Sequence, residues 1–288
     1  MRRTLAALAA NDLARETDLI VFSDGPRTPL DAPAVAEVRA ELTAIDGFQS
    51  VQIMSRERNL GLAGSIIEGV TKICSEYGRV IVLEDDLITS SGFLTYMNEA
   101  LALYEPFDEV ASIHGYVYPS NRARPETFLL RGADCWGWAT WARAWKGFNP
   151  DGAALLRQLN ERNLLLAFDY DGAAPYSEML RAQIEGRNNS WAIRWHASAF
   201  LAGKFTLYPG RTLVQNIGLA EGTHFADSDF PDAPASNTSV AVRLLPREEN
   251  QECRAEFERF FRDRRKLSLK KIVRRVRDTV HRWRYGRS

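Results

Sequence analysis

Cysteine is scarce in this chain of 288 residues: Cys74, Cys135 and Cys253 lie far apart and form no CxxC pair. Their scarcity argues against a disulfide framework or a cysteine-based zinc site, and it is typical of a reducing compartment. Apolar runs are short as well, and none approaches the roughly 20 residues that a membrane-spanning helix needs. The alanine-rich start runs straight into polar Asn11 and Asp12, which makes it a poor signal peptide. A cytoplasmic location is therefore the expectation.

A net charge is also lacking, because 37 Lys and Arg balance 37 Asp and Glu. The balance hides a polarised chain: residues 262–288 hold 12 Lys and Arg against 2 Asp and Glu, so the rest of the chain is acidic. Apolar residues in this basic segment recur three and four positions apart from Leu269 to Trp283, as on an amphipathic helix. Such a helix is typical of attachment to an anionic membrane surface, here the inner face of the plasma membrane; docking on the acidic body is the alternative. Nucleic acid is disfavoured because the acidic body would repel its phosphates.

Short apolar strands alternate with helical stretches through the first part of the chain. The predicted strands are 19–22, 51–54, 80–83 and 110–113, and the predicted helices are 2–14, 32–42, 62–77 and 93–104. This alternation is typical of an α/β fold with a largely parallel sheet. Beyond about residue 120 the pattern loosens, and six of the seven tryptophans fall between positions 136 and 195. We predict one α/β domain over residues 1–245, followed by a basic amphipathic helical tail over residues 246–288.

Three adjacent carboxylates, Glu84, Asp85 and Asp86, follow the apolar strand predicted over 80–83. In a parallel α/β sheet, ligands bind outside the carboxyl ends of the strands. Carboxylates this close repel one another unless a cation offsets the repulsion, and their hard oxygens suit Mg²⁺ or Mn²⁺ bound together with substrate phosphates. The triplet therefore predicts a metal and phosphate site. An acidic helix start is the alternative, which accounts for one carboxylate better than for three.

Two further segments are expected near the same edge of the sheet. Ser23-Asp24-Gly25 ends another predicted strand, so the Asp24 carboxylate could accept hydrogen bonds from a base or a ribose. The stretch Asn59-Leu-Gly-Leu-Ala-Gly64 opens a helix, where free amide groups and small residues allow a ligand to approach closely. This stretch is neither a P-loop nor a GxGxxG motif.

The order of SDG, RNLGL and VIVLEDD along the chain resembles that of family 2-type glycosyltransferases with the GT-A fold, a Rossmann-like nucleotide-sugar-binding fold. It is similar especially to bacterial relatives of N-acetylglucosaminyltransferase I, whose acidic triplet is also Glu-Asp-Asp. The resemblance continues through Asp134-Cys-Trp-Gly-Trp138, Ser190-Trp-Ala-Ile-Arg-Trp195 and Gly222-Thr-His224, and it covers about residues 1–225. It implies a metal-dependent, inverting transfer of a hexosyl or N-acetylhexosaminyl group, from a UDP-sugar or a related donor to a glycan or lipid-linked acceptor.

The resemblance also implies roles for individual residues. Asp86 would be the direct metal ligand, with Glu84 and Asp85 holding the nucleotide and the sugar. The nucleoside would be contacted by Asp24, Arg58, Asn59 and Gly61, and His224 would approach the metal or the diphosphate. The aromatic residues Trp136 and Trp191, which lie near predicted turns, are candidates for contact with donor or acceptor. For Trp138, Trp141 and Trp145, whose spacing would place them on one face of a helix, core packing is favoured.

Two departures from the family pattern bear on activity. GT-A chains begin with a strand before the first helix, whereas Met1 falls at the start of that helix, so the first strand is expected to be missing. The pattern also leads us to expect an acidic base just before Ser190, where this chain has Asn188 and Asn189. Asp134 and Glu185 are the remaining candidates for the catalytic base. The alternatives are a catalytically impaired GT-A-like binding or assembly protein at the membrane surface, and a sugar-phosphate nucleotidyltransferase.

Overall fold

The computed structural model describes residues 1–218 and 234–266. It confirms an α/β fold, and all four strands and all four helices predicted in the first 114 residues are present. The helices are α1 (Arg2–Ala9), α2 (Ala32–Leu42), α3 (Gly61–Tyr77), α4 (Phe93–Tyr104), α5 (Ala142–Trp145), α6 (Gly152–Glu161), α7 (Leu165–Phe168), α8 (Tyr176–Ile184) and α9 (Trp191–Leu201). The strands are β1 (Asp18–Ser23), β2 (Ser50–Ser55), β3 (Arg79–Val82), β4 (Leu87–Thr89), β5 (Val110–His114), β6 (Thr127–Arg131), β7 (Trp138–Trp141), β8 (Phe205–Pro209) and β9 (Val214–Asn216). Residues 251–266 are helical as well.

A glycine sets the start of the strand that leads to the acidic triplet. Helix α3 ends at Gly78, whose φ of 77° is left-handed and whose N–H donates to the Cys74 carbonyl at 2.9 Å. Glycine adopts this conformation without the steric cost that other residues have, which makes it the usual residue after a helix. The chain then turns directly into β3.

The central sheet is mixed, so the prediction of a largely parallel sheet is wrong for it. Its strand order is β3-β7-β5-β8-β6, and within it only β5 and β8 pair in parallel. Strand β7 lies antiparallel between β3 and β5, and β6 lies antiparallel to β8. Both β6 and β7 come from the aromatic-rich section after residue 120, and no helix lies between β5 and its antiparallel neighbour β7 in the sequence. Antiparallel neighbours can be joined without a crossover, whereas parallel neighbours need one, usually a helix.

Strands β1 and β2 form a separate parallel pair. Among the described residues, β1 therefore pairs with β2 alone, and β3 pairs with β7 alone. Helix α3 nevertheless covers both β1 and β3: a Cβ on Gly69 would lie 3.2 Å from the ring of Phe22, and Val70 and Cys74 share a buried cluster with Val82. One helix thus packs on two strands that do not pair with each other. The missing first strand stays a prediction.

The main hydrophobic core includes the 251–266 helix. Cys253, Phe257 and Phe261 of this helix are buried in the same cluster as β5, β8 and α4. An ion pair between Arg124 and Glu256, with side chains 5% and 9% exposed, also joins the helix to the body. Residues 251–266 of the predicted tail are thus helical and pack in the core, and the boundary predicted at position 246 stays a prediction. Residues 267–288 of the predicted basic tail lie outside the described residues.

Core packing of the predicted tryptophans is confirmed, although their secondary structure differs from the helix that their spacing suggested. Trp138 and Trp141 belong to strand β7, and Trp145 belongs to the short helix α5. All three are at most 6% exposed. Trp138 is the centre of a cluster in which Trp191 stacks on it at 5.3 Å and Trp195 lies 6.1 Å away. Within the described part of the chain, no helix has the length and apolar composition needed to cross a membrane.

Candidate functional site

The acidic triplet, the segment 134–137 and the end of β5 meet at one end of the central sheet. The antiparallel register places Val82 of β3 and His114 of β5 on either side of the same residue, Trp138 of β7. The triplet therefore leaves β3 beside the segment that leads into β7. Sequence motifs 50 residues apart are brought together by this pairing.

The three carboxylates of the triplet have different surroundings. Burial, and the charges of Asp86 and Asp85, raise the pKa of Glu84 to about 7. Burial and the charge of Asp85 also raise the pKa of Asp86, whose Oδ1 atom is buried and has no hydrogen-bond partner within the described part of the chain. The Asp85 side chain is exposed, and its backbone carbonyl accepts hydrogen bonds from the amino group of Met1 and the hydroxyl of Thr4, each at 2.7 Å. Two crowded carboxylates with raised pKa values are what a bound cation would stabilise in the ionised form.

The chain after β9 lies against Asp86. The Ile217 N–H donates to the Asp86 carbonyl at 2.9 Å. A Cβ on Gly218 would lie 2.2 Å from Asp86 Oδ2, so a larger residue at this position would displace the carboxylate. His224 follows six positions later in sequence and lies outside the described residues. Among residues 1–218 and 234–266, no group of three or more His, Cys, Asp or Glu side chains could hold a metal ion.

Asp134 shares the surroundings of the triplet. Its Oδ1 accepts the Cys135 N–H at 2.8 Å, and its Oδ2 lies 3.5 Å from the Tyr208 hydroxyl. Burial and the charges of Asp134, Glu84 and Asp86 together raise the pKa of the Cys135 thiol. The Asp134 side chain remains 21% exposed, so a ligand can reach it. The structure thus brings the predicted base candidate Asp134 to the predicted metal site.

His114 holds the segment that carries Asp134. Its Nε2 accepts the Trp136 N–H at 3.0 Å and lies 3.9 Å from Asp134 Oδ1. Burial lowers the pKa of His114, and Asp134 opposes this shift only in part. An imidazole that accepts at Nε2 carries its proton on Nδ1 when neutral. His114 therefore acts as a neutral acceptor that fixes the backbone of Trp136, whose own side chain is partly exposed.

Asp24 caps a helix. Its carboxylate accepts the N–H groups of Gly25, Leu60 and Gly61 at 2.8 to 3.1 Å, so it satisfies amides at the start of α3. Asn59 Nδ2 donates to the Gly25 carbonyl at 2.7 Å. The predicted nucleoside contacts at Asp24 and Asn59 are thus also internal contacts that join two loops.

Arg39, which the sequence did not single out, completes this loop junction. Its guanidinium donates to the carbonyls of Ser23, Asp24 and Arg56, at the ends of β1 and β2. The predicted Arg58 side chain is exposed nearby. A Cβ on Gly25 would lie 2.5 Å from the Arg58 backbone, which explains why glycine follows Asp24. The first turn of α3 also packs in the cluster that contains Val82 and Trp138.

Replacing Asp24 with alanine is expected to lower the free energy of unfolding by about 2 kcal/mol, as losing a helix cap costs up to that amount. Asp24→Asn keeps one oxygen acceptor, so we expect it to lose only a few tenths of a kcal/mol. Urea unfolding of both variants measures the difference. Equal losses in the two variants would show that the charge, rather than the cap, is what Asp24 contributes.

Two of the predicted site residues lie in other surroundings. Glu185, at the end of α8, is exposed and pairs with Arg187. Trp191 is 2% exposed, and its ring stacks on Trp138 inside the tryptophan cluster. Trp191 therefore contributes to core packing. The described contacts of Glu185 do not include the acidic triplet.

Several aromatic residues around Asp134 were not expected from the sequence. Burial and the charge of Asp134 raise the pKa values of Tyr116, Tyr176 and Tyr208, which places the three phenols near this carboxylate. They come from a loop, a helix and a strand that are up to 92 positions apart. No local pattern links such positions, so only the fold reveals the cluster.

No family model matches the chain, and a search of curated proteins finds no significant match.

Proposed function

We propose that this protein is a metal-dependent, inverting glycosyltransferase with a GT-A-like arrangement, acting on a UDP-sugar or a related donor and on a glycan or lipid-linked acceptor. The observation that carries the proposal is the meeting of Glu84, Asp86 and Asp134 at one end of the central sheet. A site of nucleotide-sugar transfer needs acidic groups for both a metal–diphosphate and an acceptor hydroxyl, and these three residues supply both. The resemblance of the motif order adds independent support.

A divalent cation such as Mn²⁺ or Mg²⁺ fits the chemistry of the triplet. The buried Asp86 oxygen without a described partner is a hard donor of the kind these ions prefer. Such ions usually bind through one or two carboxylates plus substrate phosphates, so a three-residue protein cage is not required. Asp86 would hold the ion beside Glu84 and Asp85, and the ion would offset the charge of the departing diphosphate.

Asp134 is the proposed base. As the acceptor hydroxyl oxygen bonds to the anomeric carbon of the donor, its proton passes to the Asp134 carboxylate. The bond between the anomeric carbon and the diphosphate oxygen breaks at the same time, and its electron pair leaves with the diphosphate. Attack from the face opposite the leaving group inverts the anomeric configuration. His114 and Tyr208 would keep the Asp134 segment in place.

Replacing Asp86 with alanine is expected to abolish binding of UDP in the presence of Mn²⁺, because the direct ligand of the ion is removed. Isothermal titration calorimetry of the full chain measures this. Asp46→Ala removes an exposed carboxylate from a loop elsewhere and serves as the matched control. Binding by Asp86→Ala that equals that of the wild type and of the control would refute the metal site.

A nucleotide-sugar-binding protein without turnover is the second candidate. It is favoured by Asn189, which stands where the resemblance leads us to expect an acidic base and whose Oδ1 accepts from Arg194 Nη2 at 3.3 Å. An amide of this kind cannot take up a proton at neutral pH. Release of UDP from UDP-hexoses and UDP-N-acetylhexosamines separates the two candidates: Asp86-dependent binding without release of UDP would favour the binding protein.

A further inference from the structure

A groove of about 540 Å³ lies where β6, the last strand in the order of the central sheet, meets the start of the 251–266 helix. The volume is that of a ligand site rather than of a packing defect. All of its lining residues belong to the described part of the chain, and none of them is Lys, Arg or His. We name it the acidic groove, since its lining includes three apolar residues and three glutamates: Pro125, Leu245, Pro246, Glu248, Glu249 and Glu252.

Two of these three glutamates have carboxylates that the described protein does not neutralise. Glu249 is engaged, because its Oε1 accepts the Arg131 N–H at 2.9 Å and its Oε2 lies 3.8 Å from Arg254 Nη1. Glu248 and Glu252 are exposed, and within residues 1–218 and 234–266 neither has an ion pair. The dipole of the helix favours acidic residues at its start, but it does not account for a groove with apolar walls beside them. Such a groove suits a ligand that is both cationic and apolar.

The sequence 267–288 of this chain has that composition. It holds 8 Lys and Arg against one Asp, and its apolar residues recur three and four positions apart. Opposite charge and shared apolar character make it the complement of the acidic groove. It is also close enough: Lys266 lies about 22 Å along the helix from residue 251, at 1.5 Å per residue. About seven extended residues span that distance, which leaves more than half of the sequence to bind.

We propose that the basic segment 267–288 binds in the acidic groove of its own chain, with cations at Glu248 and Glu252 and apolar side chains against Leu245 and Pro246. An anionic lipid surface competes for the same cations, so the groove holds the segment back until such a surface is present. This contact governs attachment, and it does not depend on the reaction proposed at Asp134.

Carbodiimide cross-linking of the full chain tests the contact, because this reagent joins an amine directly to a carboxylate that touches it. Arg277→Lys, Arg282→Lys and Arg284→Lys, as three single variants, place an amine along the segment and keep its charge. We expect mass spectrometry to find the new amine linked to Glu248 or Glu252 in at least one variant. Salt at about 1 M, where the Debye length is about 3 Å, should remove the link.

The ion pair of Lys72 and Glu76 on α3 serves as an internal control, since these two side chains should be joined in every sample. Formation of that link without any link from the segment to the groove would overturn the proposal. A mixture of isotope-labelled and unlabelled chains distinguishes the two ways of filling the groove. Links found only between labelled and unlabelled chains would overturn binding within one chain and show that the groove takes a second copy.

Reversing the charge of the groove tests the competition with lipid. The double variant Glu248→Lys/Glu252→Lys should lose the cross-link and bind vesicles with anionic lipid about tenfold more tightly than its control, because the segment is released. The control is Asp46→Lys/Glu161→Lys, which changes the net charge equally at exposed positions elsewhere. A cross-link that survives in the groove variant would overturn the docking site. Equal vesicle binding by the two double variants would overturn the competition.

Discussion

Replacing Arg143 with methionine is expected to lower the free energy of unfolding by about 3 kcal/mol, because several charge-assisted hydrogen bonds are lost together. The guanidinium donates to the carbonyls of Tyr104, Glu105 and Val110 at 2.9 to 3.0 Å. It also lies over the ring of Trp141, 4.2 Å from its centroid. One side chain of α5 thus joins the end of α4 to the start of β5, the central strand of the sheet.

The geometry of the guanidinium, rather than its charge, is the basis of this prediction. A lysine ammonium is a point charge and lacks the planar fork of donors, so Arg143→Lys should lose most of the same stability. Urea unfolding measures the change, and the slope of the unfolding free energy against urea concentration should be the same in the variant and the wild type. Arg157→Met, at an exposed position of α6, controls for the loss of a positive charge. A loss in Arg143→Met no larger than that in the control would contradict the prediction.

The first half of the fold was predictable because its signals are local. Each strand there is a short apolar run, and each helix has its own periodicity, so Ala32–Leu42 and Phe93–Tyr104 were predicted with the bounds observed. The direction of the strands after β5 was not predictable in the same way. Strand β7 pairs with β3 through Trp138, a residue whose spacing from Trp141 and Trp145 resembles that of a helix. The spacing of these tryptophans suggested a helix, but tertiary packing made the segment around Trp138 a strand.

The candidate site was predictable to the extent that it lies in contiguous motifs. Glu84, Asp86 and Asp134 each follow or precede an apolar strand, and the pairing of those strands brings them together. Two residues that were expected to contact a ligand have contacts within the protein instead: Trp191 packs on Trp138, and the Asp24 carboxylate caps α3. These contacts join residues distant in sequence, so a motif cannot reveal whether a side chain faces a ligand or the protein itself.

A chain ending at residue 250 is expected to lose its cooperative fold, whereas a chain ending at residue 266 should keep it. The first truncation removes the buried side chains of Cys253, Phe257 and Phe261, worth together about 4–8 kcal/mol. Loss of that amount is comparable with the whole stability of a typical domain, about 5–15 kcal/mol. The second truncation keeps every residue of the described core. Thermal unfolding followed by near-ultraviolet circular dichroism distinguishes the two, since it reports fixed aromatic packing.

The longer truncated chain also tests the membrane proposal, because it lacks the basic, amphipathic sequence 267–288. We expect the full chain to sediment with vesicles that contain anionic lipid, and the chain ending at residue 266 to remain in the supernatant.

The Phe257→Ala variant of the full chain should lose about 3–5 kcal/mol of unfolding free energy, as is usual when a buried phenylalanine is removed, and it should sediment as the full chain does. A folded chain ending at residue 250 would contradict the role of the 251–266 helix in the core. Equal sedimentation of the full chain and the chain ending at 266 would contradict membrane attachment through the basic segment.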